Sequence, residues 1–251
     1  MDLQKASVMK RVAAWLLDTI LVCVLAVGFA VLLSAVLRYD HQYNTLQAGY
    51  DRYEQMYGVE LEITQEDYDA LTDAQRENYD AAYAALIEDE EIINTYNLVL
   101  SLSLVIATVS ILLAVMSMEF VVPLFLKNGQ TIGKKAFSIG LMRVDGVKVT
   151  TMQLFVRSLL GKYTIETMIP VYIVLMFFWN AMDMTGTVVL AGLAILEILC
   201  IVINPHNALV HDLMAGTVAV DMSSQKIFES TEALIEYSKR IAAERAKKQD
   251  Y

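Results

Sequence analysis

Four apolar stretches, Val12–Leu37, Leu98–Leu126, Thr164–Met182 and Thr185–Ile203, constrain this chain more than any other feature. A helix crosses a bilayer with about 20 mostly apolar residues. Inside lipid, only a helix or a closed barrel satisfies its own backbone. The chain therefore reads as an all-α polytopic membrane protein with four transmembrane helices. Its 56% hydrophobic content and mean hydropathy of +0.45 exclude an ordinary soluble domain. Lys5, Lys10 and Arg11 precede the first stretch as they would a signal peptide. The stretch is too long for one, contains Asp18 and lacks a small-residue cleavage site, so it is expected to stay as a signal anchor.

Charge gives the orientation. The net charge of −10 is concentrated between Arg38 and Asn97, where acidic residues, including the run Glu88-Asp89-Glu90-Glu91, face only Arg38, Arg52 and Arg76. From Lys127 to Lys162 the balance reverses, with Lys127, Lys134, Lys135, Arg143, Lys148, Arg157 and Lys162 against Asp145 alone. The positive-inside rule then places both termini and the basic loop in the cytoplasm and residues 38–97 outside it.

The chain divides accordingly. Residues 1–37 hold the N-terminus and first span, 38–97 an acidic extracytoplasmic helical insert, and 98–126 the second span. Residues 127–163 form a basic cytoplasmic loop, 164–203 the paired third and fourth spans, 204–228 a His-Asp motif with a strand, and 229–251 a cytoplasmic C-terminal helix. In the insert, Tyr43, Tyr50, Tyr53 and Tyr57 lie on one helical face. "TQED" at Thr64 and "TDAQ" at Thr72 have the form of helix caps. No Gly or Pro interrupts Asp73–Tyr96. The expectation is that the first two spans extend into a hairpin arm turning near Gly58. The Tyr face serves either the arm's own packing or an extracellular partner.

In the basic loop, "GQTIGKKAFSIG" has the spacing of an interfacial helix with Lys134 and Lys135 on its polar side. Next comes "LMRVDGVKVT", whose Asp145-Gly146 signals a β-hairpin. "TVAVD", Thr217–Asp221, is expected to add a third strand, completing a small cytoplasmic β-sheet. Gly129–Lys134 is superficially like a phosphate-binding loop. It fails on the glycine spacing, and Lys135 stands where Ser or Thr would hold magnesium.

"KRVAAWLLDTIL", "GQTIGKKAFSIGLMRVDGVKVT", Arg157 and "HDLMAGTVAV", taken in order, resemble the RDD family of bacterial membrane proteins. The family is named for one Arg and two Asp, which fall here on Arg11, Asp18 and Asp212. The loop motif falls on Gly129, Thr131, Gly133, Lys134, Gly140, Arg143 and Arg157. The resemblance implies a bacterial cytoplasmic membrane location and, as proposed for some members, sodium/proton antiport. The long insert and the fourth span depart from it.

The charged residues inside spans carry the functional expectation, because each is costly there and marks function by default. At about 1.5 Å of rise per residue, Asp18, Glu119 and Glu197 share one depth, roughly 10 Å from the cytoplasmic edge, with Glu166 shallower. Together with His211 they are a candidate ion or proton site. Arg11 and Asp18, seven residues apart, share a helix face but stand too far apart along it to pair. Arg11 is expected to meet Asp212 instead, either as a staple closing the bundle or as part of the site. His206 is a further candidate relay group, and the methionines, including Met116, Met118, Met176, Met182 and Met184, read as core filling.

Cys23 and Cys200 both lie in spans, so neither a disulfide framework nor a zinc site is expected. No nucleophile–base motif is present, and neither an enzyme, a cofactor nor a nucleic-acid partner is expected. The reading is a cation- or proton-coupled small-solute transporter, working as a homo-oligomer in the lipid bilayer. The alternative is a non-transporting scaffold or assembly factor.

Overall fold

The computed structural model describes residues 4–178, 184–204 and 208–249, and these are mostly helical. Among the described residues, three helical runs are long and apolar enough to cross a membrane: Val8–Val36, Glu90–Phe125 and Thr151–Met176. The chain forms two compact units, residues 27–110 and residues 1–26 with 111–251.

The first helix, α1 (Val8–Val36), contributes to both units. In residues 27–110, the chain breaks at Arg38, which is left-handed with φ 53°. Then follow α2 (Tyr39–Tyr57), α3 (Gln65–Ala70) and α4 (Asp73–Glu88). Helix α2 stops at Gly58, whose φ of 64° suits a residue without a side chain. Thr64 with Asp67 and Thr72 with Gln75 close reciprocal capping boxes, so both cap signals in the sequence are real helix starts.

The uninterrupted helix expected over Asp73–Tyr96 is not found, because Asp89 adopts an extended conformation and starts α5 (Glu90–Met116). Its Oδ1 accepts from the backbone N–H groups of Glu91 and Ile92, while Arg52 and Tyr53 hold Oδ2. The signal was an Asp before two acids, a helix start without Gly or Pro. Tyr50, Tyr53 and Tyr57 pack against Leu46, Leu61, Ala82, Leu86, Ile92 and Val99. The Tyr face is thus the insert's own core, and only its first member, Tyr43, is largely exposed.

In the other unit, α5 widens into a π-helical segment, Ser117–Val121, and ends with α6 (Val122–Phe125). A five-residue α7 (Ile132–Ala136) and strand β1 (Ile139–Arg143) follow. Of the interfacial helix expected in Gly129–Gly140, only these five residues are α-helical, and Lys134, expected on its polar side, is buried, with Lys135 exposed. The third long helix starts with α8 (Thr151–Val156), not at Thr164. A Thr150–Gln153 capping box sets that start, so Arg157 and Lys162 belong to the helix and not to the loop. It continues as a π-helix, Arg157–Met168, into α9 (Ile169–Phe178). An apolar α10 (Met184–Ile203), a short α11 (Val210–Ala215), β2 (Thr217–Asp221) and the C-terminal α12 (Thr231–Gln249) complete the chain.

Among the described residues, the sheet has two strands, not the expected three. β1 and β2 pair antiparallel, Leu141 opposite Ala219. Asp145-Gly146 does turn the chain, with Gly146 N–H donating to Arg143. The second hairpin arm makes only isolated bridges, because Thr150 is already committed to capping α8. The free side of β2 is covered by the N-terminus, where Ala6 N–H donates to Ala219 and Gln4 accepts from Asp221. This covering removes an exposed edge.

Candidate functional site

Glu119 lies in the π-helical segment of the second long helix, and Pro123 explains part of its setting. Proline has no N–H, so it cannot donate to the carbonyl four residues back as an α-helix requires. Ser158 Oγ donates to that Glu119 carbonyl at 2.7 Å, joining the second and third long helices. The Glu119 carboxylate is 4% exposed and faces three cations: Lys134 Nζ at 3.3 Å, Arg157 Nη1 at 3.1 Å, and Lys162 on the other oxygen. Glu119, expected to share an ion or proton site with Asp18 and Glu197, is instead enclosed by these cations. It is the hub of an ion network.

Arg157 extends the network to α11. Its Nε donates to Asp212 Oδ1 at 2.9 Å, where Thr217 Oγ1 also donates at 2.9 Å. Arg11 reaches the other oxygen of Asp212 at 3.6 Å. The Arg11–Asp212 pairing is therefore present, but Arg157 is the nearer partner. Burial pushes the Asp212 carboxyl up, and Arg157 and then His211 outweigh this, holding it well below the usual carboxylate range. Burial also pulls the Lys134 ammonium down to about 8 against the attraction of Glu119, so at neutral pH it remains mostly charged.

Asp18 has a different task. It accepts from Thr131 Oγ1 at 2.5 Å and from the Gly133 N–H at 2.8 Å. Thr131 Oγ1 in turn accepts from Lys134 N–H, capping α7. Asp18 thus pins the start of α7 to α1. A third group centres on His211, whose Nδ1 lies 2.6 Å from Glu166 Oε1 and whose Nε2 lies 3.5 Å from Asp212. Glu166 is also hydrogen-bonded to Glu197. Two carboxyl groups can share a hydrogen bond only if one carries a proton.

A cavity of about 500 Å³ opens beside these groups. Val12, Trp15, Leu190, Leu193 and Ala194 give it an apolar wall, and Asp18, Glu166, Glu197 and His211 line its polar side. The structure thus brings four of the five proposed site residues to one cavity, while Glu119 sits behind it in the ion network. Of the loop motif, Thr131, Gly133, Lys134 and Arg157 reach this centre. Gly129 packs by Val149 and Leu141, Gly140 by Met222, and Arg143 pairs with Asp145 at the surface. His206 and Met182 lie outside the described residues. Sequence reasoning left Lys162, Ser158 and Trp15 without a role. For Ser158 there was a usable signal: Pro123, four residues after Glu119, leaves a carbonyl that needs another donor.

Arg11, Asp18, Thr131, Gly133, Lys134, Arg157 and Asp212 lie in the quoted motifs, and the sequence model of the RDD family matches residues 5–216. The chain belongs to the RDD family. No match came from the curated proteins or from the solved structures. In this RDD protein Arg11, Asp18 and Asp212 have separate tasks. Arg11 and Asp212 meet at the ion network, while Asp18 anchors the loop.

Proposed function

We propose that this protein is a proton-coupled transporter of a small solute in the bacterial cytoplasmic membrane. The observation that carries the reading is the 500 Å³ cavity with Glu166, Glu197 and His211 together on its wall. That volume is within the usual range for ligand sites, about 300–1,000 Å³. Carboxyl groups within spans, one of them in contact with an imidazole, are what a proton relay needs. Glu119 and Asp212 already have Lys and Arg partners, and Asp18 holds the α7 backbone, which favours a proton over a sodium ion as the coupled species. Among the described residues, no group of three or more His, Cys, Asp or Glu is arranged to hold a metal ion. The scaffold reading is weaker because the Tyr face of the insert packs inward.

The test is proton movement in proteoliposomes, followed with a trapped pH dye, with sodium, potassium or organic cations supplied on the opposite side. The native protein should dissipate an imposed pH gradient, and Glu166→Gln should reach the membrane folded without doing so. Equal gradient decay with native protein, Glu166→Gln and empty liposomes would sink the transport reading.

The proposed topology has four spans, α10 being the fourth, with both termini inside. It rests on charge. Even without Arg157 and Lys162, the loop carries Lys127, Lys134, Lys135, Arg143 and Lys148 against Asp145. In a background lacking Cys23 and Cys200, Asp67→Cys should react with an impermeant thiol reagent added to intact cells, and Lys148→Cys only after lysis. Labelling of the Lys148→Cys protein in intact cells would reverse the orientation.

A further inference from the structure

Glu197 holds the one buried side-chain oxygen without a hydrogen-bond partner among the described residues, its Oε2. It lies in an apolar helix, on the wall of the cavity already described, beside Leu193 and Ala194. Its carboxyl group otherwise contacts Glu166 and the Val210 N–H. A buried polar atom left unsatisfied costs free energy, commonly about 1–3 kcal/mol. An orphan of this kind in a ligand-sized space calls for a donor.

The cations of the cavity are directed elsewhere. Lys134 and Lys162 point to Glu119, Arg157 to Glu119 and Asp212, and Arg11 to Asp212. An anionic headgroup would have to displace these pairs, whereas an N–H donor meets an unoccupied acceptor. The apolar side of the cavity includes Trp15, Val12 and Leu190. An indole face also attracts a cation.

We propose that the cavity is a binding site for lipophilic amines in their protonated form, the ammonium donating to Glu197 and the apolar body lying against Trp15 and Leu193. The proposal rests on reading this cavity as the solute site and names the class of solute. The charge balance is simple. As the ammonium arrives, the proton shared by Glu166 and Glu197 leaves to water, so one positive charge replaces another. His211, beside Glu166, provides the first stop for that proton. Amine and proton would then move in opposite directions.

The test uses the full chain carrying Trp179→Phe, so that Trp15 is the one tryptophan left of the two. The protein is placed in nanodiscs of neutral lipid, and its emission is titrated with decylammonium, decyltrimethylammonium and decanoate. Decylammonium should bind at least tenfold more tightly than the other two, since the trimethyl head has no N–H and decanoate has the wrong charge. Glu197→Gln should remove that preference. Ala194→Trp, which fills the cavity and leaves every charge in place, should block decylammonium in a Trp15-independent competition with radiolabelled amine. Tighter binding of decanoate, equal response to all three probes, or an unchanged preference in Glu197→Gln would each overturn the site. Amine preference without proton movement would instead count against the transport reading and leave the site standing.

Discussion

Glu119→Ala should destabilise the purified protein by about 3–5 kcal/mol, the usual cost of orphaning a buried charge. The reason is that Lys134, Arg157 and Lys162 all lose their shared acceptor, and the Arg157 side chain is only 3% exposed. Arg157→Ala should cost less. It leaves Glu119 with two ammonium groups and Asp212 with Arg11 and Thr217. Double-mutant cycles should show stronger coupling for Arg157–Asp212, at 2.9 Å, than for Arg11–Asp212, at 3.6 Å. Simple additivity in both cycles would mean that the network is not a unit.

The pH dependence follows from Lys134. Its folded value of about 8 lies below the ordinary Lys value of 10.5, so between these the unfolded chain binds more protons. Stability from this group therefore rises with pH across that window and is flat below it. Without Glu119, the attraction that opposes burial is gone, and the folded value falls further. The window then opens below pH 8. Thermal unfolding of Glu119→Ala should shift upward between pH 7 and 8, where the Lys134 contribution in the native protein is still small. No difference between the two slopes would mean that Lys134 does not depend on Glu119.

What could be read from the sequence was whatever rests on local chemistry. The Thr64 and Thr72 caps, the Gly58 stop and the pairing of Thr217–Asp221 with the loop strand are each set by a few adjacent residues or a clear alternation. The meeting of Arg11 with Asp212 was legible because a buried cation needs a partner and few were on offer. The burial of Lys134 was not, since helical spacing places a residue on a face without saying what that face meets. The π-helical stretch Arg157–Met168 leaves no periodic mark, being a change in hydrogen-bond register. It nevertheless spans Arg157, Lys162 and Glu166, which all line the cavity. Thr150 was read as the end of a strand, when Gln153 three residues on already marked it as a helix start.

Gly133→Ala tests the join between α1 and α7, and its effect should rival the loss of a charge. A methyl group there would lie 2.3 Å from the Ala14 carbonyl oxygen and 2.9 Å from the Asp18 carboxylate. The first contact is with backbone, which cannot rotate away, so α1 or α7 must move. Overpacking alone costs about 1–3 kcal/mol. Any such movement also strains the hydrogen bonds from Gly133 and Thr131 to Asp18, leaving a buried carboxylate poorly satisfied. Removing the Asp18 side chain as well should not rescue the protein, because the Ala14 carbonyl remains in place. Gly192→Ala provides the control, since a methyl there meets nothing within 4 Å. Thermal unfolding of the purified variants should show Gly192→Ala near the native value and Gly133→Ala far below it. If Gly133→Ala unfolds with the native midpoint, α1 and α7 do not approach as closely as described, and Asp18 does not anchor the loop.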